Sequence, residues 1–242
     1  MNDTERRIQL AAAHRLALRL GLNDGLSNHF SVRLASDAGR FYVTPVNLHW
    51  KEICASNLAV VRVRDAVVEG EGEVDPSAIH IHAGILAVRP DVECVLHTHQ
   101  PYATAIAMLQ RGRLLPASQV ALRFHARIAY HERYNGAADN PEEARQLADA
   151  LGSHTVLFHA HHGVVVAGPS VARAFDDLFF LERAARLQLL AQSTGQPLGR
   201  IPDEVAERYV SESRANSLDK QAVRRFAAHL RILDREEPGF AD

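Results

Sequence analysis

The stretch Val95-Leu96-His97-Thr98-His99-Gln100-Pro101-Tyr102 closes an apolar run on two histidines. On a strand, residues two apart face the same way, so His97 and His99 project side by side as two arms of a metal grip. A third imidazole is offered by His159-Ala160-His161-His162-Gly163, beside a second β-like run, Val164-Val165-Val166. Two histidines from one strand and one from a distant strand leave a coordination position for water or substrate, which separates catalytic metal sites from closed structural ones. The same spacing describes the wet face of an antiparallel strand, and 14 histidines make chance pairs common, so the flanking sequence has to decide. Cys94, three residues before His97, points to the opposite strand face and reads as core.

At 242 residues the chain is long enough to bury a full core, and it reads as one domain over 1–242, with 196–242 as a C-terminal helical extension. A formal net charge of −2 gives no electrostatic reason to expect nucleic acid. No apolar run approaches the roughly 20 residues that span a bilayer, so no membrane partner is expected. Cys54 and Cys94 are the only cysteines, and no basic-then-apolar leader opens the chain. Neither a disulfide framework nor secretion is suggested, and the cytoplasm is the expected compartment.

Asp3-Thr4-Glu5 supplies cap-like residues before an amphipathic helix that ends near Gly21. Segments 29–33, 40–45 and 58–63 are rich in β-branched or aromatic residues and read as an antiparallel meander. Helices are expected before Arg89, over 102–109, from Asn140-Pro141 to Gly152, and from Pro169-Ser170 to Gly195. Further helices fill the tail. Glu182 reads as a solvated partner of Arg186, four residues later.

The run from Arg89-Pro90-Asp91-Val92 into His97-Thr98-His99, followed by His161-His162-Gly163, resembles the metal-site signature of the class II aldolase/adducin family. The resemblance extends from about Arg7 to the C-terminus. It implies an α/β fold, three layers α/β/α around a mixed, mostly antiparallel sheet, and one divalent metal per subunit on His97, His99 and His162. Zn²⁺, Mn²⁺ and Fe²⁺ all suit three neutral imidazoles. Arg225 to Arg235 resembles the last helix of the adducin-like branch. The resemblance also implies a homo-oligomer, a tetramer, with active sites at subunit contacts.

Several positions depart from the sugar-phosphate aldolases of that family. His29 stands where they carry Asn, and Val46-Asn47 where they carry Thr-Gly, in the loops that grip phosphate. Ala78 stands at their acid/base carboxylate, His82 matches their helix histidine, and no tyrosine lies near Gln119 to donate a proton. Glu71, Glu73 and Asp75 are the nearest carboxylates in sequence, readable either as substitutes or as a solvated turn. His29, Arg123 and His125 are the catalytic candidates, with His131 a further pocket candidate, and Asn47 and Ser77 the substrate-binding ones. Histidine titrates near neutrality and arginine grips carboxylates, yet each could equally be a structural residue. Metal-assisted carbon–carbon cleavage of a small hydroxy- or keto-carboxylic acid, possibly an aromatic one, fits this set, with decarboxylation ahead of aldol cleavage because it needs less proton shuttling. An oxygenase or epimerase on the same scaffold and a non-catalytic interaction module are the alternatives.

Overall fold

The computed structural model describes residues 1–70, 72–136, 138–215 and 218–242. The first helix, α1 (Asp3–Arg19), is capped one residue earlier than the cap-like run suggested. The Asn2 side chain accepts from the Glu5 N–H at 2.9 Å and the Glu5 carboxylate accepts from the Asn2 N–H at 2.9 Å, satisfying two otherwise orphaned donors reciprocally.

Eight strands form one sheet: β1 (His29–Arg33), β2 (Arg40–Val43), β3 (Ala59–Arg62), β4 (Val67–Glu69), β5 (Cys94–Thr98), β6 (Ile128–His131), β7 (Val156–His159) and β8 (Gly163–Gly168). Their order is β4-β3-β2-β1-β5-β8-β7-β6, and every neighbouring pair is antiparallel except β6–β7. The meander β1–β2–β3 follows the β-branched runs, whereas the edge strand β4 is too short and too exposed to leave a signal in sequence.

Strand alternation divides the core into two layers. Cys94 and Leu96 face one apolar cluster and Val95 the other, so the strand that carries His97 is anchored on both sides. On one face lie α2 (Pro76–Val88) and α5 (Pro141–Leu151). The other carries α1, α3 (Pro101–Ala107), α4 (Gln119–Leu122), α6 (Val171–Gln192) and α8 (Leu218–Glu236). The result is the three-layer α/β/α arrangement around a mixed, mostly antiparallel sheet. No helix among the described residues is long and apolar enough to cross a membrane.

Glu182 departs from its reading as a solvated partner of Arg186. It is buried in α6 and its carboxylate accepts from the backbone N–H groups of Tyr102 at 2.8 Å and Ala103 at 2.9 Å. Those are orphaned donors in the first turn of α3, so Glu182 caps the helix that follows the H-x-H strand. The segment 196–242 contains α7 (Asp203–Ala215) and α8, and ion pairs tie it back to the rest. Arg225 reaches Asp176 of α6 at 2.5 Å, while Glu236 and Glu237 pair with Arg19 at 2.7 and 2.8 Å.

His14 crosses between α1 and the sheet, fully buried against Phe30 and Trp50 with ring centroids 4.9 Å from each. Its Nδ1 donates to the Leu10 carbonyl at 2.8 Å, which leaves Nε2 to accept the Thr44 hydroxyl at 2.7 Å. Burial pushes its pKa down to about 3, against the raising effect of the Leu10 carbonyl. The folded protein holds this imidazole neutral while the unfolded chain protonates it near 6.5. Its contribution is therefore fully present above about pH 6.5 and is lost as pH falls toward 3, at up to about 1.4 kcal/mol per pH unit. Urea midpoints should fall between pH 7 and 5, and His14→Gln should make that fall shallower; identical pH slopes for the two proteins would remove His14 as a source of the acid sensitivity.

Candidate metal centre

The three central strands β1, β5 and β8 bring the histidines together. The ladder registers place His29 opposite His97 and His97 opposite Val165. His97 is 1% exposed, and its Nδ1–H donates to the Val164 carbonyl at 3.0 Å. His99 follows the end of β5, where its Nδ1–H donates to the Asp24 carboxylate at 3.3 Å. Both partners are oxygens that only accept, so both rings carry their proton on Nδ1 and turn an unprotonated Nε2 inward. Those two Nε2 atoms lie 3.1 Å apart. Two lone pairs facing each other with no proton between them repel, and a cation shared between them removes the repulsion.

His162 completes the set from the turn between β7 and β8. One ligand nitrogen from each of His97, His99 and His162 lies within 4.8 Å of the others. The His162 ring centroid is 4.8 Å from that of His97 and 4.6 Å from that of His99, and its Nδ1 is 3.0 Å from His159 Nδ1. The turn is built for close approach. His161 takes the left-handed conformation at φ 59°, tight hairpin geometry that His tolerates better than a β-branched residue. A Cβ on Gly163 would run into the Thr98 carbonyl and lie 2.9 Å from the His99 ring, so only glycine lets β8 sit this close to the H-x-H strand. The donor set, three imidazoles with each Nδ1 already engaged, fits a divalent metal with an open coordination position.

Beside the trio runs a chain of hydrogen bonds with one proton order. Ser77 Oγ donates to Asp75 at 2.5 Å and lies 3.3 Å from His29 Nε2, which therefore donates to Ser77. His29 Nδ1 must then accept from His82 Nε2 at 2.7 Å, and His82 Nδ1 accepts from Ser31 Oγ. Burial, reinforced by the neighbouring imidazoles His82, His99 and His162, holds His29 well below the usual histidine range. Burial likewise pushes His82 down to about 3. Both rings are neutral at pH 7, and His29 lies 4.7 Å from His97 between ring centroids.

The other sequence candidates separate clearly. Ser77 joins the His29 chain, and Asn47, left-handed at φ 65°, sits in the loop whose Val46 N–H bonds the Glu73 carbonyl, on the approach to α2. Arg123 and His125 do not join the cluster. Arg123 is 7% exposed and bound to Asp176 of α6 at 2.5 Å, and it lines a cavity of about 520 Å³ with Arg127 and Thr155. That cavity lies where β7 begins, because the Arg127 carbonyl accepts the Thr155 and Val156 N–H groups. The cluster lies where β7 ends, about 10 Å away at roughly 3.3 Å per strand residue. His125 lines a neighbouring cavity beside Phe124 and Ile128 at the start of β6. Within this chain, then, Arg123 and His125 stand at the opposite end of the sheet from the histidine cluster. His131 stands instead at the end of β6, its ring 5.2 Å from His159.

Ala78 is 1% exposed in the first turn of α2 and carries no proton. Asp75 is the helix cap, accepting from the Ser77 N–H at 2.8 Å, and Glu73 is exposed. Glu71 lies outside the described residues. Sequence reasoning missed Asp24, whose contact spans 75 positions, and Tyr134, half-exposed with its ring 6.4 Å from His162.

This chain belongs to the class II aldolase and adducin family: the Class II Aldolase and Adducin N-terminal domain matches residues 8–189. A Pseudomonas aeruginosa protein bearing the name of a class 2 aldolase is 33% identical over 242 residues, covering 98% of this chain and 92% of that protein. Rat alpha-adducin is 33% identical over 187 residues, which are 76% of this chain but 25% of the adducin. Among solved structures, an aldolase II superfamily protein from Pseudomonas syringae superposes with a TM-score of 0.92 at 33% identity, over 100% of this chain and 96% of its own. The fold is shared with L-fuculose 1-phosphate aldolase from Glaciozyma antarctica, at a TM-score of 0.84 and 22% identity over 96% of this chain and 90% of that one.

Replacing His97 by Ala should abolish metal in the purified protein, measured by elemental analysis, while circular dichroism stays unchanged. Full metal content in that variant would sink the ligand set.

Proposed function

We propose that this protein is a divalent-metal-dependent lyase that cleaves a carbon–carbon bond beside the carbonyl of a small hydroxy- or keto-carboxylic acid, by decarboxylation. One observation carries the reading. Three imidazoles converge with their Nδ1 positions engaged, while the family's acid/base position is Ala78, sealed from solvent, with Glu73 exposed and Asp75 occupied as the cap of α2 and the acceptor of Ser77. A divalent metal held by His97, His99 and His162 supplies Lewis acidity toward substrate oxygens, which stabilises the charge left when the carboxyl group departs as CO₂.

The chain's own groups then have defined tasks. His29 is neutral and presents an Nε2–H, held in orientation by His82 at one nitrogen and Ser77 at the other. Neither nitrogen is free to accept a proton, and a substrate carboxylate or enolate oxygen would take the Nε2–H only by displacing its 3.3 Å contact with Ser77. Ser77, next to His29, and Asn47 are assigned to substrate binding. Tyr134 offers a phenol at the open side. Turnover needs one proton at the carbon that loses CO₂, and in decarboxylation that proton follows bond cleavage, so it can come from water or from Tyr134.

Aldol cleavage is the second reading, supported by the names of the relatives. Assays of metal-loaded protein against L-fuculose 1-phosphate, L-ribulose 5-phosphate and a panel of hydroxy-aromatic and keto dicarboxylates separate the two. Turnover is expected on an acid of the panel, and robust turnover of a sugar phosphate with none on the acids would overturn decarboxylation. With an active acid in hand, His29→Ala should lower turnover by about 10² to 10⁴ while retaining metal.

The same reading includes a homo-oligomer, a tetramer, with sites at subunit contacts. Support comes from Met108, Leu109 and Tyr134, large side chains at least half exposed on the rim of the candidate centre, where the Ala107 carbonyl accepts the His161 N–H. Light scattering at micromolar concentration should give a mass of four chains; a monomer would rule this out.

A further inference from the structure

His97 and His99 have their tautomers dictated by oxygens, but His162 does not. Its Nδ1 meets another imidazole nitrogen, His159 Nδ1, at 3.0 Å, and such a pair can order its single proton in two ways. If His159 Nδ1 carries the proton, His162 is protonated on Nε2 and that nitrogen cannot bind a metal. If His159 carries its proton on Nε2, its Nδ1 accepts from His162 Nδ1–H, and His162 Nε2 is free to act as a ligand.

A ligand role for His162 Nε2 requires the second order. It closes β7, 1% exposed, with the His131 ring 5.2 Å away and Tyr134 at 6.1 Å. With Nδ1 accepting from His162, the ring's own proton falls on Nε2, a buried atom with no hydrogen-bond partner among the described residues. A fully buried imidazole with a nearly unsatisfied donor is a costly choice for a residue that merely fills space between strands, where Leu or Phe would serve.

We propose that His159 is the positioning residue of the candidate metal centre, fixing the tautomer and ring plane of His162 so that His162 Nε2 faces His97 and His99. The inference rests on the metal-site reading and goes beyond its ligands. It makes a distinction that simple packing does not. An asparagine amide oxygen falls near the place of an imidazole Nδ1 and can accept the same hydrogen bond, whereas phenylalanine keeps the ring and the packing but offers no acceptor.

The test is Co²⁺ titration of the full chain, read by visible d–d absorption and by competition with a chromophoric chelator, for wild type, His159→Phe and His159→Asn. His159→Phe is expected to weaken Co²⁺ binding by about 10- to 100-fold and to change the visible band pattern, the scale at which groups behind metal ligands act. His159→Asn is expected to restore binding toward wild type. Phe binding as tightly as wild type with an unchanged spectrum overturns the inference alone. Equal weakening by Phe and Asn, in step with their metal-free melting temperatures, assigns His159 to packing and overturns it as well. Failure of the wild type to bind Co²⁺ overturns the metal reading itself. A second measurement needs no variant: long-range ¹⁵N–¹H spectra of the Zn²⁺-loaded wild type should show His159 protonated on Nε2 and His162 on Nδ1. The reverse tautomers would overturn the proposal even if His159→Phe failed to fold.

Discussion

The candidate centre depends on where three protons sit. Imidazole is a ligand only at a nitrogen without a proton, and in a buried site water is not available to trade tautomers freely. His97 and His99 surrender Nδ1–H to a backbone carbonyl and a carboxylate, so their inward nitrogens meet bare at 3.1 Å. The packed strands β1, β5 and β8 fix that spacing, which suits two ligands to one shared cation.

The environment reinforces this by keeping the cluster uncharged. Burial, with neighbouring imidazoles adding to it, holds His97 well below its ordinary pKa and pushes His162 down to about 4. At neutral pH these rings present donors and lone pairs rather than positive charge. Any anion bound here would therefore meet neutral imidazoles rather than a cluster of positive side chains.

Much of this was legible in the chain. Period-two spacing announced that His97 and His99 share a face, and the β-branched runs traced the meander. What stayed hidden were choices made by tertiary neighbours. Asp24 lies 75 residues from the His99 it holds, and no local pattern links them. Glu182 looked like half of a helical salt bridge because Arg186 sits one turn on, yet the orphaned amides at the start of α3 are stronger claimants for a buried carboxylate. Arg123 and His125 were chosen for their chemistry alone, which does not say at which end of the sheet a side chain will stand. Nor could the segment His159-Ala160-His161-His162 show how His159 and His162 share a proton, because sequence carries no information about tautomers.

The position of β1, β5 and β8 in the middle of the sheet has a consequence for how the protein breathes. Edge strands and peripheral helices open locally at a small fraction of the global unfolding free energy, whereas internal strands exchange their amides only when the domain opens. Here the short edge β4 and the ion-paired C-terminal helices can fray while β5 remains flanked by β1 and β8. The amides of His97 and Val165 should therefore rank among the slowest-exchanging in the chain, so that the bare nitrogens keep their spacing through most thermal excursions of the periphery.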